Sequence, residues 1–180
     1  MITPWNGPIN QIALKVAPAL ATGSTCVLKL SVFTPLNAML YAEIVHEAGF
    51  AAGTFNLVNG DGIECGATIS KHKDVDMMSF TRSTCAGIAV SKDAAETVKR
   101  VTLELGGKSP ILVFTDADLE DRVAGSVREY FDKSGQSCDA PTRMLVERSV
   151  YDKVVAVAER ADADRGGCRR RRTRLGRRLP

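Results

Sequence analysis

Three features are missing from this 180-residue sequence, and each absence excludes a class of protein. No stretch approaches the roughly 18 consecutive apolar residues of a membrane-spanning helix, so no membrane partner is expected. The five cysteines form no Cys-x-x-Cys pair, so neither a structural zinc site nor a disulfide framework is indicated. No charged segment followed by an apolar one marks a secretory signal at the N-terminus. We therefore expect a cytoplasmic protein with reduced cysteines.

The positive net charge of +3 comes from the C-terminal end of the sequence. Residues 161–180 contain eight arginines and two aspartates, a local charge of +6, so residues 1–160 carry −3. This tail has no apolar period and its like charges repel one another, which predicts disorder. A nucleic-acid-binding arm is one interpretation, but the tail has no aromatic residue to stack on bases. We favour a second interpretation, in which the tail is the product of a reading-frame shift in a GC-rich gene.

Strand-length apolar runs alternate with segments of helical periodicity through residues 1–160. This alternation with short connections predicts the α/β class, with mostly parallel sheets and flanking helices. Asp116 is the predicted N-cap of the helix at 119, and Gly49 is the predicted residue after the second helix. The predicted strands are Cys26–Leu30, Thr54–Val58, Met77–Phe80, Val101–Leu105, Ile111–Phe114 and Met144–Val146. The predicted helices are Gln11–Ala21, Pro35–Ala48, Gly62–Lys71, Ala86–Thr97, Leu119–Phe131 and Tyr151–Ala161.

Two residues, 34 positions apart, stand out as candidates for chemistry. Glu104 ends a strand-like run and precedes two glycines that permit a tight turn. Cys138 lies in the polar stretch Asp132-Lys-Ser-Gly-Gln-Ser-Cys-Asp139, in a loop beyond a predicted helix. A lone cysteine is more often a small buried residue, and a strand-end carboxylate is more often simply solvated. A thiol nucleophile and a carboxylate base are, however, the parts of an enzyme that attacks a carbonyl carbon.

Four motifs resemble those of the aldehyde dehydrogenase superfamily. They are Leu103-Glu-Leu-Gly-Gly-Lys-Ser-Pro110, Gly135-Gln-Ser-Cys138, Thr3-Pro-Trp-Asn-Gly-Pro8 and Val27-Leu-Lys29. The resemblance covers residues 1 to about 160 and implies part of that family's architecture. It divides the chain into a partial dinucleotide-binding domain over residues 1–105, a partial catalytic domain with the nucleophile over 106–160, and the tail over 161–180.

The resemblance also implies a reaction, the oxidation of an aldehyde to a carboxylic acid with NAD or NADP. Cys138 would be the nucleophile that forms a thiohemiacetal and then a thioester, and Glu104 the base that activates water. Asn6 would donate a side-chain N–H to the oxyanion, beside the backbone N–H of Cys138. A relative that passes its acyl group to coenzyme A needs no such base, so Glu104 favours hydrolysis.

Further residues match positions that surround the cofactor in the family. Lys29 would reach the adenosine ribose or its 2′-phosphate. The stretch Gly60-Asp-Gly-Ile-Glu-Cys-Gly66 follows a strand and opens a helix, so its N–H groups could face a phosphate. This glycine pattern alone is a weak signal. The implied cofactor-binding residues are Ile2, Thr3, Pro4, Trp5, Lys29, Gly62, Gly66, Phe80, Thr81, Ser83 and Leu105.

Three residues depart from the family pattern. Val32 stands where many members have a glutamate for the ribose hydroxyls, so the choice between NAD and NADP stays open. Arg82 replaces a glycine in Phe80-Thr-Arg-Ser83, where it could obstruct the cofactor or attract its pyrophosphate. Gly7 replaces an aromatic residue beside Asn6, which removes packing from that loop.

The resemblance further implies that the chain is the middle part of a family member. We expect exposed sheet edges and apolar surface, poor folding in isolation and a tendency to aggregate. The homo-oligomer of the family is then doubtful for this chain. An inactive, pseudogene-like remnant is the alternative to an active enzyme, and the aldehyde remains unidentified because much of the substrate tunnel would come from other segments.

Overall fold

The computed structural model describes residues 1–164, which form two compact units, one over Met1–Gly107 and a second that begins at Lys108. Each unit is an α/β structure, as the alternating pattern predicts. The Arg-rich tail lies outside the described residues from position 165 onward, so its predicted disorder stays a prediction. Its first residues are helical, because the last helix continues to Ala163 and Ala161 is buried.

The first unit contains four helices and four strands among its described residues. Each predicted strand and helix is present, with ends that shift by three residues at most. In chain order the elements are α1 (Pro8–Ala21), β1 (Cys26–Lys29), α2 (Pro35–Glu47), β2 (Phe55–Val58), a π-helical turn (Gly62–Gly66) that continues into α3 (Ala67–Lys71), β3 (Met77–Arg82), α4 (Thr84–Ala95) and β4 (Arg100–Leu105).

Local sequence explains where several of these helices begin and end. Pro8 is the first residue of α1, a position where a missing N–H is tolerated and the fixed φ favours a helix. Gly49 follows the end of α2 with φ +82°, as predicted, and its N–H donates to His46 O at 3.0 Å. Ser83 caps α4 by accepting a hydrogen bond from the amide of Ala86.

A short extended segment around Ile2 joins two pairs of parallel strands into one sheet. β1 pairs with β2 and β3 pairs with β4, and Ile2 bridges Lys29 on one side and Phe80 on the other. The backbone hydrogen bonds from Ile2 N to Ser79 O, 2.9 Å, and from Thr3 N to Lys29 O, 3.1 Å, fix this position. The spatial order is therefore β2, β1, the Ile2 segment, β3 and β4.

The two faces of this sheet have separate cores. Leu28 of β1 and Leu30, which follows that strand, pack against Ile12 and Val16 of α1. The opposite face carries Ile2, Met78 and Phe80 against Val90 of α4. Because side chains alternate along a strand, Thr3, Ser79, Thr81 and Glu104 belong to the α1 face, and Lys29 and Arg82 belong to the α3 and α4 face.

The second unit contains a parallel strand pair with a helix between its strands. β5 (Pro110–Val113) pairs with β6 (Arg143–Val146), and α5 (Leu119–Phe131) connects them. A short 3-10 turn (Asp132–Gly135) follows α5, and another (Arg148–Val150) precedes α6 (Tyr151–Ala163). The core consists of the valines at 113, 123, 150, 154 and 157.

The predicted N-cap of α5 is wrong by two residues. Asp118, and not Asp116, precedes the helix, and its carboxylate accepts a hydrogen bond from the amide of Asp121 at 3.2 Å. An N-cap side chain accepts from the amide of the second or third helical residue, here Glu120 or Asp121, and only Asp118 lies two or three residues before these. None of the helices in residues 1–164 is both long and apolar enough to span a bilayer.

Candidate active site

The order of the strands locates the candidate site in the first unit. If the Ile2 segment is counted as strand 1, then β1 to β4 are strands 2 to 5, and the spatial order is 3-2-1-4-5. This order reverses direction between the Ile2 segment and β3. In open parallel sheets, ligands bind in the crevice beyond the carboxyl ends of the two strands where the order reverses. Here those ends are Thr3-Pro4-Trp5-Asn6 and Thr81-Arg82. Both segments were singled out from the sequence.

Two threonine hydroxyls at this point of reversal lack partners. Thr3 is 2% exposed and Thr81 is 3% exposed, on neighbouring segments of the sheet. Among the described residues, neither Thr3 Oγ1 nor Thr81 Oγ1 has a hydrogen-bond partner. Leaving a buried polar group unsatisfied costs about 1–3 kcal/mol, so such groups usually meet a water or a ligand. Both hydroxyls are sealed from solvent at the switch point.

Glu104 lies on the same face as these hydroxyls. It stands opposite Thr81 in the register of β3 and β4, one residue before the end of β4. Its side chain is exposed, so water reaches the carboxylate. The sheet thus places a candidate base beside the two unsatisfied threonines.

Lys15 is a functional candidate that the sequence interpretation missed. It is half-buried on α1, and its Nζ donates a hydrogen bond to Ser79 Oγ of β3 at 2.9 Å. Burial lowers the pKa of Lys15, and the nearby Glu104 carboxylate acts in the opposite direction. One signal was available: Lys15 stands directly before Val16 and three residues after Ile12, on the side of α1 that faces the core.

Asn6 lies in the turn between the Ile2 segment and α1. Gly7 is the residue before the first helical position, and Asn6 is half-buried. Trp5 beside it is 40% exposed, whereas Pro4 is buried. The structure therefore brings Asn6, Thr3, Thr81 and Glu104 to the same end of one sheet.

Lys29 is the most deeply buried charged side chain on the other face. It is 1% exposed, and its Nζ donates to the carbonyl of Leu30 at 2.9 Å. Burial lowers the pKa of Lys29, Cys65 and Asp61 raise it, and Arg82 lowers it further. Lys29 is thus part of a small charged group at the end of β1, and not a surface lysine.

The glycine-containing turn beside Lys29 is π-helical, and Gly60 before it closely approaches Cys65. A Cβ added to Gly60 would lie 2.7 Å from Cys65 Cβ, so this position excludes a side chain. The Asp61 carboxylate accepts a hydrogen bond from Glu64 N at 2.7 Å, and Gly66 N donates to Asp61 O at 3.2 Å. Two of the N–H groups expected to face a phosphate are therefore satisfied by Asp61 itself.

Four other predicted cofactor residues have structural roles in the first unit. Ile2 and Phe80 are buried in the core on the α4 face, so their side chains face helix α4. Leu105 packs towards Gly87, where an added Cβ would lie 2.8 Å from Leu105 Cδ2. Ser83 caps α4 with its hydroxyl. These residues shape the crevice through their backbone and packing.

Cys138 belongs to the second unit, in the loop between α5 and β6, as predicted. Its side chain is half-buried and its thiol is free. Lys133, Ser134 and Gly135 before it have φ angles of 49°, 61° and 74°, a left-handed run that is unusual for residues with a Cβ. Ser137 Oγ donates to the Asp139 carboxylate, and this bond lowers the pKa of Asp139. This hydrogen bond joins the two residues on either side of the thiol.

A metal centre is not formed in the described part of the chain. No cluster of three or more histidine, cysteine, aspartate or glutamate side chains in residues 1–164 has a metal-binding arrangement.

Comparison with known proteins identifies the family to which this sequence is similar. The sequence profile of the aldehyde dehydrogenase family matches residues 1–176. A 3-succinoylsemialdehyde-pyridine dehydrogenase from Pseudomonas sp is 57% identical over 159 residues, which cover 88% of this chain and 33% of the relative. The chain thus spans about a third of the length of the curated relatives it matches.

Solved structures give the same result. An aldehyde dehydrogenase from Bartonella henselae is 54% identical with a TM-score of 0.85, over 91% of this chain and 34% of that one. An aldehyde dehydrogenase C variant from Pseudomonas syringae, solved with NAD+ and octanal, is 51% identical with a TM-score of 0.86. That match covers 90% of this chain and 33% of the Pseudomonas syringae chain.

Proposed function

Since this chain belongs to the aldehyde dehydrogenase family, we propose that it takes part in the NAD(P)-dependent oxidation of an aldehyde to a carboxylic acid. The chain spans about a third of its relatives, so the activity of the whole protein is part of this proposal. One observation carries it: the sheet brings Asn6 and Glu104, which the family motifs name, to the same end of the sheet at the switch point.

The residues of the switch point fit a dinucleotide. Lys29 lies at the end of β1, on the same face as the glycine-containing turn, and supplies the cation that the family resemblance assigns to the adenosine ribose. Gly62 and Gly66 leave two positions of that turn without a side chain. A bound nicotinamide would accept the hydride from the substrate carbon. Both NAD and NADP remain candidates.

Cys138 is the proposed nucleophile. Its sulfur, as the thiolate, adds to the aldehyde carbon and the carbonyl oxygen becomes an oxyanion. Asn6 and the backbone N–H of Cys138 donate hydrogen bonds to that oxyanion, and loss of one such donor typically costs about 3–4 kcal/mol of transition-state stabilisation. Loss of the hydride and collapse of the oxyanion leave an acyl group joined to Cys138 as a thioester.

Glu104 is the proposed base for the second half of the reaction. Its exposed carboxylate takes a proton from water as the water oxygen attacks the thioester carbon. The carbon–sulfur bond then breaks, the carboxylic acid leaves, and Cys138 returns to its starting state. Lys15, held by Ser79, is a positioning residue that puts a positive charge near Glu104.

The test is a turnover assay with aldehydes taken from the relatives. Purified chain would be incubated with NAD+ or NADP+ and with octanal or 3-succinoylsemialdehyde-pyridine, and both acid and reduced cofactor would be measured. We expect equimolar products, loss of both in the Cys138→Ser variant, and normal turnover in the Cys85→Ser control, since Cys85 is an exposed cysteine of α4. Equal turnover in wild type and Cys138→Ser would disprove the proposal. No turnover in either would support the inactive remnant.

Compartment and assembly are also part of the proposal. The cysteine pattern favours the reduced cytoplasm, and the thiol of Cys138 must remain reduced to act as a nucleophile. Cell fractionation would check the compartment. Light scattering of the purified chain would show whether it forms the homo-oligomer expected of family members or is a monomer.

A further inference from the structure

Arg82 is the charged residue at the switch point to which the proposed reaction gives no role. It is the last residue of β3, and its side chain is exposed. Side-chain alternation directs it to the face that carries Lys29 and the Gly62 to Gly66 turn. An exposed arginine at the carboxyl end of a switch-point strand stands where ligands of parallel sheets bind.

The Arg82 guanidinium lies over the glycine turn. A Cβ built on Gly62 would lie 3.8 Å from Arg82 Nη1, an ordinary van der Waals distance, so the guanidinium lies next to this glycine. Arg82 also lies close enough to Lys29 to disfavour the charged form of that lysine. Two cations thus converge on one turn from the ends of β3 and β1.

One carboxylate partly compensates these charges. Asp61 raises the pKa of Lys29, whereas Arg82 lowers it. The Asp61 carboxylate already accepts a hydrogen bond from Glu64 N, however. Arg82 forms none of the described salt bridges. The three groups therefore carry a net charge of +1, with an exposed guanidinium whose planar N–H groups match a phosphate.

We propose that Arg82 is a specificity-determining residue that binds a phosphate group of the dinucleotide, together with Lys29. The inference rests on the proposed function, because it requires the cofactor at this switch point. The phosphate is either in the pyrophosphate, which both dinucleotides share, or at the 2′ position, which only NADP carries. The alternative, in which the guanidinium obstructs the crevice, predicts the opposite effect of its removal.

The test measures binding and needs no turnover. Isothermal titration calorimetry of the full chain would compare NAD+, NADP+ and adenosine, which lacks a phosphate, in wild type and in Arg82→Gln, Arg82→Lys and Arg82→Gly. A charge-assisted contact with a phosphate predicts roughly ten- to hundredfold weaker dinucleotide binding by Arg82→Gln. Arg82→Lys should retain part of the dinucleotide affinity, because lysine keeps the positive charge but lacks the planar pair of N–H donors of arginine. Adenosine binding should not change.

Arg100→Gln is the matched control. Arg100 is an exposed arginine on β4 of the same strand pair, but it stands at the opposite end, paired with Met77. Its replacement removes the same charge from the same sheet without changing the switch point. Binding of both dinucleotides by Arg100→Gln should therefore equal that of wild type at the same ionic strength.

Each outcome decides the inference. Equal weakening of NAD+ and NADP+ by Arg82→Gln supports a pyrophosphate contact, and a larger loss for NADP+ supports a 2′-phosphate contact. Unchanged or tighter dinucleotide binding by Arg82→Gln overturns the inference but leaves the proposed function standing. Dinucleotide binding by Arg82→Gly and not by wild type has the same meaning, because it shows that the guanidinium obstructs the crevice. If no variant and no wild-type chain binds either dinucleotide, the cofactor site of the proposed function fails and the inference fails with it.

Discussion

The Lys15 ammonium group donates a hydrogen bond to the Ser79 hydroxyl, with 2.9 Å between Nζ and Oγ, and so joins α1 to β3 on the face that carries Glu104. The bond connects residues 64 positions apart in the sequence. It holds a half-buried cation near the carboxylate that we propose as the base. The relationship can be tested through the titration of Lys15.

Replacing Glu104 by glutamine should lower the pKa of Lys15 further. Burial already lowers this pKa below 10.5, and the Glu104 carboxylate opposes the decrease by favouring the charged ammonium. An NMR titration of the Lys15 side-chain carbon next to Nζ would measure both values. Glu96→Gln is the control, because Glu96 is an exposed carboxylate after α4 that does not act on Lys15. An unchanged Lys15 pKa in Glu104→Gln would contradict the arrangement.

Buried Lys29 predicts a pH dependence of stability. Its folded-state pKa is below 10.5, so between the two values the unfolded chain binds more protons and the free energy of unfolding increases as pH rises towards 10.5. The difference between wild type and Lys29→Met should show this increase, since the opposite contribution of buried Cys26 is present in both and cancels. Urea unfolding at several alkaline pH values would measure it. A difference that is constant or falls with pH would be incompatible with a buried Lys29.

Two neighbouring methionines test which face of β3 packs in the core. Met78 is 0% exposed and Met77 is 48% exposed. Met78→Ala should lower the free energy of unfolding by about 2–5 kcal/mol, the usual range for a buried methionine. Met77→Ala should change it by no more than about 0.5 kcal/mol. Equal effects in urea unfolding would mean that the strand does not present these faces.

The N-cap of α5 gives a second matched pair. Asp118→Ala removes the side chain that accepts from the Asp121 amide and should destabilise the second unit by about 1 kcal/mol. Asp116→Ala removes the same charge two residues earlier and should have a smaller effect. Thermal unfolding of both variants would measure the difference. A larger loss for Asp116→Ala would restore the N-cap predicted from the sequence.

Much of the fold could be predicted because it depends on local patterns. The strands and helices follow from apolar runs and periodicity, and Gly49 ends α2 because glycine tolerates a positive φ. Two aspartates near the start of α5 both suit an N-cap, and the choice of Asp118 depends on where the helix begins. The π-helical form of Gly62–Gly66 has no periodic signature and was not predicted.

The parts of the site that the sequence did not predict depend on contacts between distant segments. The Ile2 segment is too short to show alternation, yet its place between β1 and β3 creates the switch point. Lys15 looks like an ordinary helix lysine until α1 is packed on the sheet beside Ser79. Cys138, Glu104 and Asn6 could be named from motifs, whereas the unsatisfied hydroxyls of Thr3 and Thr81 became evident only from their burial.

The thioester step is tested by the intact mass of the Glu104→Gln chain after incubation with aldehyde and NAD(P)+. Cys138 should acquire an acyl group, with a mass equal to the aldehyde minus two hydrogen atoms, and one reduced cofactor should form per adduct. The adduct should accumulate because the proposed base for hydrolysis is absent, and peptide mapping should locate it on Cys138. An unmodified chain, or an adduct that forms without reduced cofactor, would contradict the account.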